Sequence, residues 1–446
     1  MISPWGDSIP EDWEETPLKH LTKTVTGGTP NRSDTSFWDG SIPWVSSKDM
    51  KEWELADTEG HVTQKAIEEG ETTLVPKGSL LMVSRSGILE HTIPVAVANR
   101  ELAINQDIRA YIPEEDIRSR YLRDIFIGFE DDLLQLWKQQ GATVQSLNSV
   151  AVSETRIPVP SLEKQSSIIA YSEAQVERIN KLIQKYQRLE DLLESQEQAL
   201  TDNLLTNGAK ESKQVEADIL GVESLPRDWE EIRLKFLLNS IEQGWSPKCN
   251  ETPSTQEEWG VLKAGAVNGG VFDSSENKTL PSGIQPREEY CISKGDVLMN
   301  RASGSEDLLG SAAIVDEECH KLLLCDKIYR LHPRANRITP EFLSLALQSH
   351  TSKVQIRGMI SGAKGLANNI PQSDLKNLDV PVPPIHVQRK IVERVGTERE
   401  KVRSCSCLAR EMTRKLREKR QALITAAVTG QIDVSKVENE AKASHT

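Results

Sequence analysis

Ile9-Pro10-Glu11-Asp12-Trp13-Glu14-Glu15 returns as Leu225-Pro226-Arg227-Asp228-Trp229-Glu230-Glu231, and the rest of the chain repeats in step with it. Lys77-Gly78-Ser79-Leu80-Leu81-Met82 is answered by Lys294-Gly295-Asp296-Val297-Leu298-Met299. Ile157-Pro158-Val159-Pro160 with Gln165 is answered by Val380-Pro381-Val382-Pro383 with Gln388, and Gln198-Ala199-Leu200 by Gln421-Ala422-Leu423. The offset drifts only from 216 (Ile9 to Leu225) to 223 (Ile157 to Val380), as loop insertions produce. Solenoid and propeller repeats run to about 20–50 residues, so this longer period means two copies of one module. Two similar surfaces suit two similar ligands, or one ligand with two similar parts.

Each copy divides into a mixed segment and a long helical one. In residues 1–160, Ile42-Pro43-Trp44-Val45, Ser79 to Val83 and Ile93 to Val97 read as strands bounded by Gly27-Gly28-Thr29-Pro30, Lys77-Gly78 and Ser86-Gly87. Apolar residues at helical spacing, among them Tyr121, Leu122, Ile125, Phe126, Leu133 and Trp137, predict a helix over 116–140, with Trp137 in its core face. The same succession runs from 225 to 384, with a helix over 339–357. The fold class is therefore α+β, with two similar domains in tandem pseudo-repeat. The proline pairs at 158/160 and 381/383 close them.

A long helix follows each domain, at 161–207 and 385–430. Ile179, Tyr186, Leu193 and Leu200 fall seven apart, with Leu182 and Leu189 three residues behind; Val395, Val402, Leu416 and Leu423 fit a second heptad, with Ile391 and Met412 in its companion register. Such a pattern predicts coiled-coil seams. Residues 163–206 carry five Lys/Arg against eight Asp/Glu, whereas 389–420 carry twelve Lys/Arg against five Glu. Opposite balances favour pairing of the two helices with each other. The polar stretch 208–224 reads as a linker, and 431–446 as a flexible tail.

The chain of 446 residues, 37% hydrophobic and 27% charged, describes a globular protein of several domains. No apolar run is long enough to span a membrane. The start, Met1-Ile2-Ser3-Pro4-Trp5, lacks a signal-peptide layout, so a cytoplasmic location without membrane partners is expected. All six cysteines lie in the second copy and lack zinc-site spacing, so neither a shared disulfide framework nor a metal site is expected. A net charge of −13 argues against indiscriminate coating of nucleic acid while allowing local basic faces.

Catalytic signatures are missing. Gly358 to Gly365 lacks the second glycine before lysine and the hydroxyl residue of a phosphate loop. No dinucleotide fingerprint, amino-methylation motif or paired-histidine metal motif occurs, so no catalytic residue is assigned. What stands out is polar, basic loops at equivalent places. Ser84, Arg85 and Ser86 follow one repeated strand; Asn300, Arg301 and Ser303 follow the other. Lys138, Gln139, Gln140 and Thr143 follow the domain helix of the first copy, as Arg357 and Lys364 do in the second. Lys48 and Lys263 follow further strands. Such residues can read base edges or hold phosphates, arginine suiting guanine and asparagine adenine; ordinary turns have the same composition.

Taken in order and in duplicate, these elements resemble the specificity subunits of type I restriction–modification systems. The resemblance rests on Pro-x-Asp-Trp-Glu opening each half, Phe37-Trp38-Asp39-Gly40-Ser41-Ile42-Pro43-Trp44-Val45, the Lys-Gly-Ser/Asp-x-Leu-Met strands, the Pro-Val-Pro closures with Gln165 or Gln388, and the terminal helices. Trp259-Gly260-Val261-Leu262-Lys263 departs from it by lacking the Ile-Pro-Trp core. The resemblance implies two target-recognition domains reading the halves of a split double-stranded DNA site. It implies antiparallel pairing of the helices, two methyltransferase subunits docked on them, and restriction subunits that complete the nuclease. AdoMet, ATP and Mg²⁺ would belong to those partners and none to this chain. A helix of about 44 residues is ~65 Å long, which would limit the separation of the half-sites to about two turns of DNA. A coiled-coil scaffold whose α+β domains bind proteins is the alternative.

Overall fold

The computed structural model describes residues 4–5, 9–139, 145–208, 213–359 and 368–434. They form two compact units, residues 1–187 with 410–446, and residues 188–409.

In the first unit, a five-stranded sheet runs in the order Thr22–Thr26, Ile108–Pro113, Leu80–Val83, Val95–Ala98, Glu54–Leu55. A four-stranded sheet runs Gly60–Val62, Trp38–Val45, Leu102–Ile104, Thr73–Val75. Leu80 to Val83 and Val95 to Ala98 are buried at every position, so these strands are covered on both faces. In the second sheet the alternation of side chains divides the two central strands between two cores. Val45 and Ile104 join the main cluster with Leu81, Phe126 and Trp137, while Trp44 and Ala103 join a smaller one with Phe37 and Val62.

The second unit repeats this topology with one strand fewer in each sheet. Its four-stranded sheet runs Leu238–Gln243, Ile328–Pro333, Val297–Asn300, Ala312–Ile314, and a three-stranded sheet runs Asn277–Thr279, Gly260–Leu262, Leu322–Leu323. The parallel pairing of Trp44–Val45 with Ala103–Ile104 recurs as Gly260–Val261 with Leu322–Leu323. The opening motif is an edge strand in both: Glu14 pairs with Val159 and Pro17 with Arg156, as Glu230 pairs with Val382 and Arg233 with Asp379. Gly78 and Gly295 hold φ of 88° and 93°. That left-handed turn is open to glycine at little cost, and it lets each N–H reach the neighbouring strand, at Ala98 O and Val315 O, both 2.8 Å away.

The domain helices differ from the sequence expectation in the same way twice. Each is two helices, Ser119–Gly128 with Glu130–Trp137, and Pro340–Gln348 with His350–Met359. The free backbone groups at the breaks find partners on the long helices. Ile127 O accepts from Gln421 Nε2 and Gly128 O from Thr425 Oγ1 (2.6 Å), while His350 N–H donates to Asp202 Oδ1 (2.8 Å). A Cβ on Gly128 would lie 3.3 Å from Thr425 Cα, so the small residue permits the approach.

The long helices are Leu162–Asn207 and Ile385–Val428. They run antiparallel in each unit. In the first, Asn180 meets Arg420 and Lys164 reaches Asp433; in the second, Glu197 meets Arg399 while Leu204 and Leu205 share a core with Ile391 and Val395. Ile179, Val395 and Ile391 are buried, and Tyr186, Leu193, Leu200, Val402, Leu416 and Leu423 are half-buried. Apart from Ile391, the companion register is corrected by one residue. Leu182, Leu189 and Met412 are exposed, and Ile183, Glu197 and Thr413 face the seam instead. Each residue advances a helix by about 100°, so a slip of one position carries a side chain off the seam. The leucines lie outside it, and Glu197 enters it paired with Arg399 at 2.9 Å.

Two further boundaries are corrected. The stretch 208–224 is structured in part, because Gln214–Glu216 pairs with Ser224–Pro226, and Ile219 and Val222 are buried in the second unit's core. The tail does not begin at 431, because Ile432 packs against the first unit's core and Val434 is fully buried in it.

Candidate nucleic-acid interface

In both units the loop after the repeated Lys-Gly strand is bridged to the segment after the domain helices. Arg85 bridges Ser146, Leu147 N–H donates to Ser84 O (2.9 Å), and Ser86 N–H to Gln145 O (3.0 Å). In the second unit Ala302–Ser303 pairs with Asn368–Asn369, and Ile370 N–H donates to Arg301 O (2.9 Å). Two segments that the sequence marked separately therefore form one ridge. Lys138 and Gln139 join it, Lys138 bridging Leu147 and Gln139 bonding Ser146 through both backbone and side chain. Gln140, Thr143 and Lys364 lie outside the described residues.

These pairings set the correspondence between the units: Ser84 matches Arg301, Arg85 matches Ala302 and Ser86 matches Ser303. The two arginines are thus one position apart and do different things. Arg85 is 56% exposed and donates from Nε to Asp107 Oδ1 (2.8 Å). Arg301 turns inward, donating to Asp326 O (3.1 Å) and Asn369 Oδ1 (2.7 Å) with its guanidinium 5.2 Å from the Tyr329 ring. Asn300 is buried, its side chain accepting from Ala302 N–H (3.1 Å). Ser84 Oγ donates to Asp107 O (3.0 Å), and Ser86 Oγ caps the turn at Ile88. Asn300, Arg301 and Ser84 therefore shape the loops, and Arg85 is presented outward.

The remaining candidates lie elsewhere. Lys48 is exposed, and its chain neighbour Asp49 helps line a cavity of about 400 Å³ with Arg32, Trp38 and Trp44. Lys263 is half-buried, its N–H held by Glu276 O at 2.8 Å. Arg357 reaches across to Asp307 at 3.3 Å.

A repeated motif escaped the sequence reading. Gly27-Gly28-Thr29-Pro30 corresponds to Gly244-Trp245-Ser246-Pro247, although only glycine and proline are identical. A Cβ on Gly27 or Gly244 would fall 1.8 or 2.1 Å from the carbonyl oxygen of Ile104 or Leu324, so both positions require glycine. The following hydroxyl then bonds the loop beneath the ridge: Thr29 to Gln106, and Ser246 to Asp326 Oδ1 at 2.5 Å. The signal was the spacing of Gly and Pro after a strand, which the intervening substitutions hid.

Burial pushes the Cys325 and Cys319 thiols up to about 11, and among the described residues no group of three or more His, Cys, Asp or Glu could hold a metal ion. No helix among them is long and apolar enough to cross a membrane. The ridge offers hydrogen-bonding side chains on paired backbone segments.

Comparison with known proteins places this geometry. Residues 10–191 and 226–397 each match the family described as the type I restriction modification DNA specificity domain. The chain is 34% identical over 172 residues to the specificity subunit of the type I restriction enzyme EcoEI of Escherichia coli, and 35% over 153 residues to that of EcoR124I/EcoR124II from the same species. Those matches cover 38% and 34% of this chain and span only 29% and 38% of the relatives. A weaker likeness, 20% identical, to the EcoKI specificity subunit of Escherichia coli K12 covers 87% of this chain and 82% of that one. A solved structure from work on assembly and conformational transition of the type I R-M system shares the fold, with a TM-score of 0.66 at 18% identity, over 95% of this chain and 99% of the other. With both halves matched, the chain belongs to the type I restriction–modification DNA specificity family and holds two copies of its domain.

Proposed function

We propose that the chain is the specificity subunit of a type I restriction–modification complex. Each unit reads one half of a bipartite, asymmetric site in double-stranded DNA. The long helices carry two methyltransferase subunits, and restriction subunits complete the nuclease. The chain itself is non-catalytic: AdoMet, ATP and Mg²⁺ are held by the partners, and the complex works in the cytoplasm. The observation that carries this reading is the recurrence of the ridge at one place in both units, with matching backbone pairing and unlike side chains. Matching frames suit identical partners, and unlike ridges suit different bases. Much of the phosphate grip falls to the partners, consistent with a net charge of −13.

A domain exchange tests the reading. Residues 18–157 are replaced by the corresponding segment of a family member with a known site, and methylated adenines are mapped in a host carrying the complete system. One half of the methylated sequence should change to that of the donor, while the other half stays. Two unchanged halves, or methylation indifferent to this chain, would overturn it.

A further inference from the structure

The outward arginine of the first unit is held by a chain of side-chain bonds. Thr29 Oγ1 donates to Gln106 Oε1, Gln106 Nε2 donates to Asp107 Oδ2 (3.4 Å), and Arg85 Nε donates to Asp107 Oδ1 (2.8 Å). Asp107 is itself fixed. Its N–H donates to Asn105 Oδ1 (3.0 Å), and its carbonyl accepts from the N–H of Ser84 (2.7 Å), the N–H of Arg85 (3.4 Å) and the hydroxyl of Ser84 (3.0 Å). With Nε committed to the carboxylate, the guanidinium plane is set and its two Nη groups have no partner among the described residues. A guanidinium braced in this way projects two parallel donors, which match the N7 and O6 acceptors that guanine alone presents in the major groove. Adenine places a donor where guanine has O6, so it meets the same fork with a repulsive contact.

The second unit lacks this device. Ala302 stands in the place of Arg85, its own arginine is folded onto Tyr329, and Lys327 follows the loop acid Asp326. We infer that Arg85, buttressed by Asp107 and Gln106, reads a guanine in the half-site of the first unit, and that the second unit makes no equivalent contact. Arg85 is the specificity-determining residue, Asp107 and Gln106 are positioning residues, and the asymmetry of the two half-sites at this position follows from the one-residue displacement of the arginine. This inference rests on the reading of the chain as a DNA specificity subunit.

The test uses the complete methyltransferase complex and duplexes carrying its methylated sequence. Each guanine of the two half-sites is replaced in turn by 7-deazaguanine, which lacks the N7 acceptor, or by adenine. The complex with unaltered Arg85 should lose affinity about 10- to 100-fold at one guanine of one half-site. The R85A complex should bind the substituted and unsubstituted duplexes alike at that position, while discrimination in the other half-site persists. R85K, which keeps the charge but not the fork, should retain binding and lose the discrimination. D107A should weaken discrimination less than R85A, because the arginine remains but is no longer aimed. An R85A complex as sensitive as the parent at every guanine of both half-sites would overturn the inference while leaving the specificity reading intact. A parent complex with no sequence preference at all would remove that reading, and the inference with it.

Discussion

Replacing Gln165 by leucine removes a fully buried amide without opening a large cavity. Its Oε1 accepts from Arg118 N–H at 2.9 Å, and its Nε2 donates to the carbonyls of Asp116 and Pro160, both at 2.9 Å. Gln388 makes the same three bonds in the second unit, with Thr339 N–H and the carbonyls of Arg337 and Pro383, each at 2.9 Å. Leucine offers no polar atom, so three backbone groups lose their partners. Each orphaned group costs roughly 1–3 kcal/mol. Water reaching the exposed side of Arg118 draws the sum toward the low end, giving roughly 3–5 kcal/mol. That is a large part of the 5–15 kcal/mol typical of a native domain. For a unit of about 220 residues, each kcal/mol lowers Tm by about 2–4 °C, so scanning calorimetry should show a fall of roughly 6–20 °C. Leucine at the neighbouring exposed Ser166 should do little. A loss below about 1 kcal/mol for Gln165→Leu would refute the account of this glutamine as the pin between the domain closure and the long helix.

Other consequences are open to measurement. Burial pushes the Asp124 carboxyl up to about 6 from its ordinary 3.8, against the pull of Arg123. Because the folded form holds the proton more tightly, its contribution to stability is full below pH 3.8 and lost as pH rises through 6; Asp124→Asn should therefore gain stability relative to the parent as pH rises from about 4 to 7, and parallel profiles would contradict this. Lys48→Ala should weaken binding to all duplexes similarly and reduce the salt slope by about one, measured by titration at several salt concentrations, with a sequence-dependent loss counting against a phosphate contact. Gly244→Ala places a methyl 2.1 Å from Leu324 O and should lower the second unit's melting transition by several degrees, an unchanged transition showing that the strand yields.

The repeat made the architecture legible because its shared residues are those that set backbone geometry. Gly78 and Gly295 turn the chain, Pro158 and Pro381 close it, and Gln165 and Gln388 tie the closure to the helix. The seam was legible where Ile179, Leu193 and Leu200 lie, and at Ile391. Its companion register holds Glu197 and Thr413, and exposed Leu182 and Leu189 drew the reading one residue aside. Ile219, Val222, Ile432 and Val434 were hidden because isolated apolar residues in polar stretches carry no period. On the ridge, sequence marked the right loops but not the roles within them. Whether an arginine points out or folds onto a tyrosine is decided by one residue of register and by partners, Asp107 or Asn369, that are distant in sequence.

The first unit joins segments made far apart in time during synthesis. Its core contains Leu18, Leu81 and Ile168 together with Ile424, Ala427, Val428 and Val434. At a typical ribosomal pace of 5–20 residues per second, the later group emerges roughly 13–53 s after Ile168. Residues 188–409 are made contiguously in that interval, so the second unit is positioned to mature before the first. A premature stop near residue 410 would accordingly injure the domain encoded farthest from it.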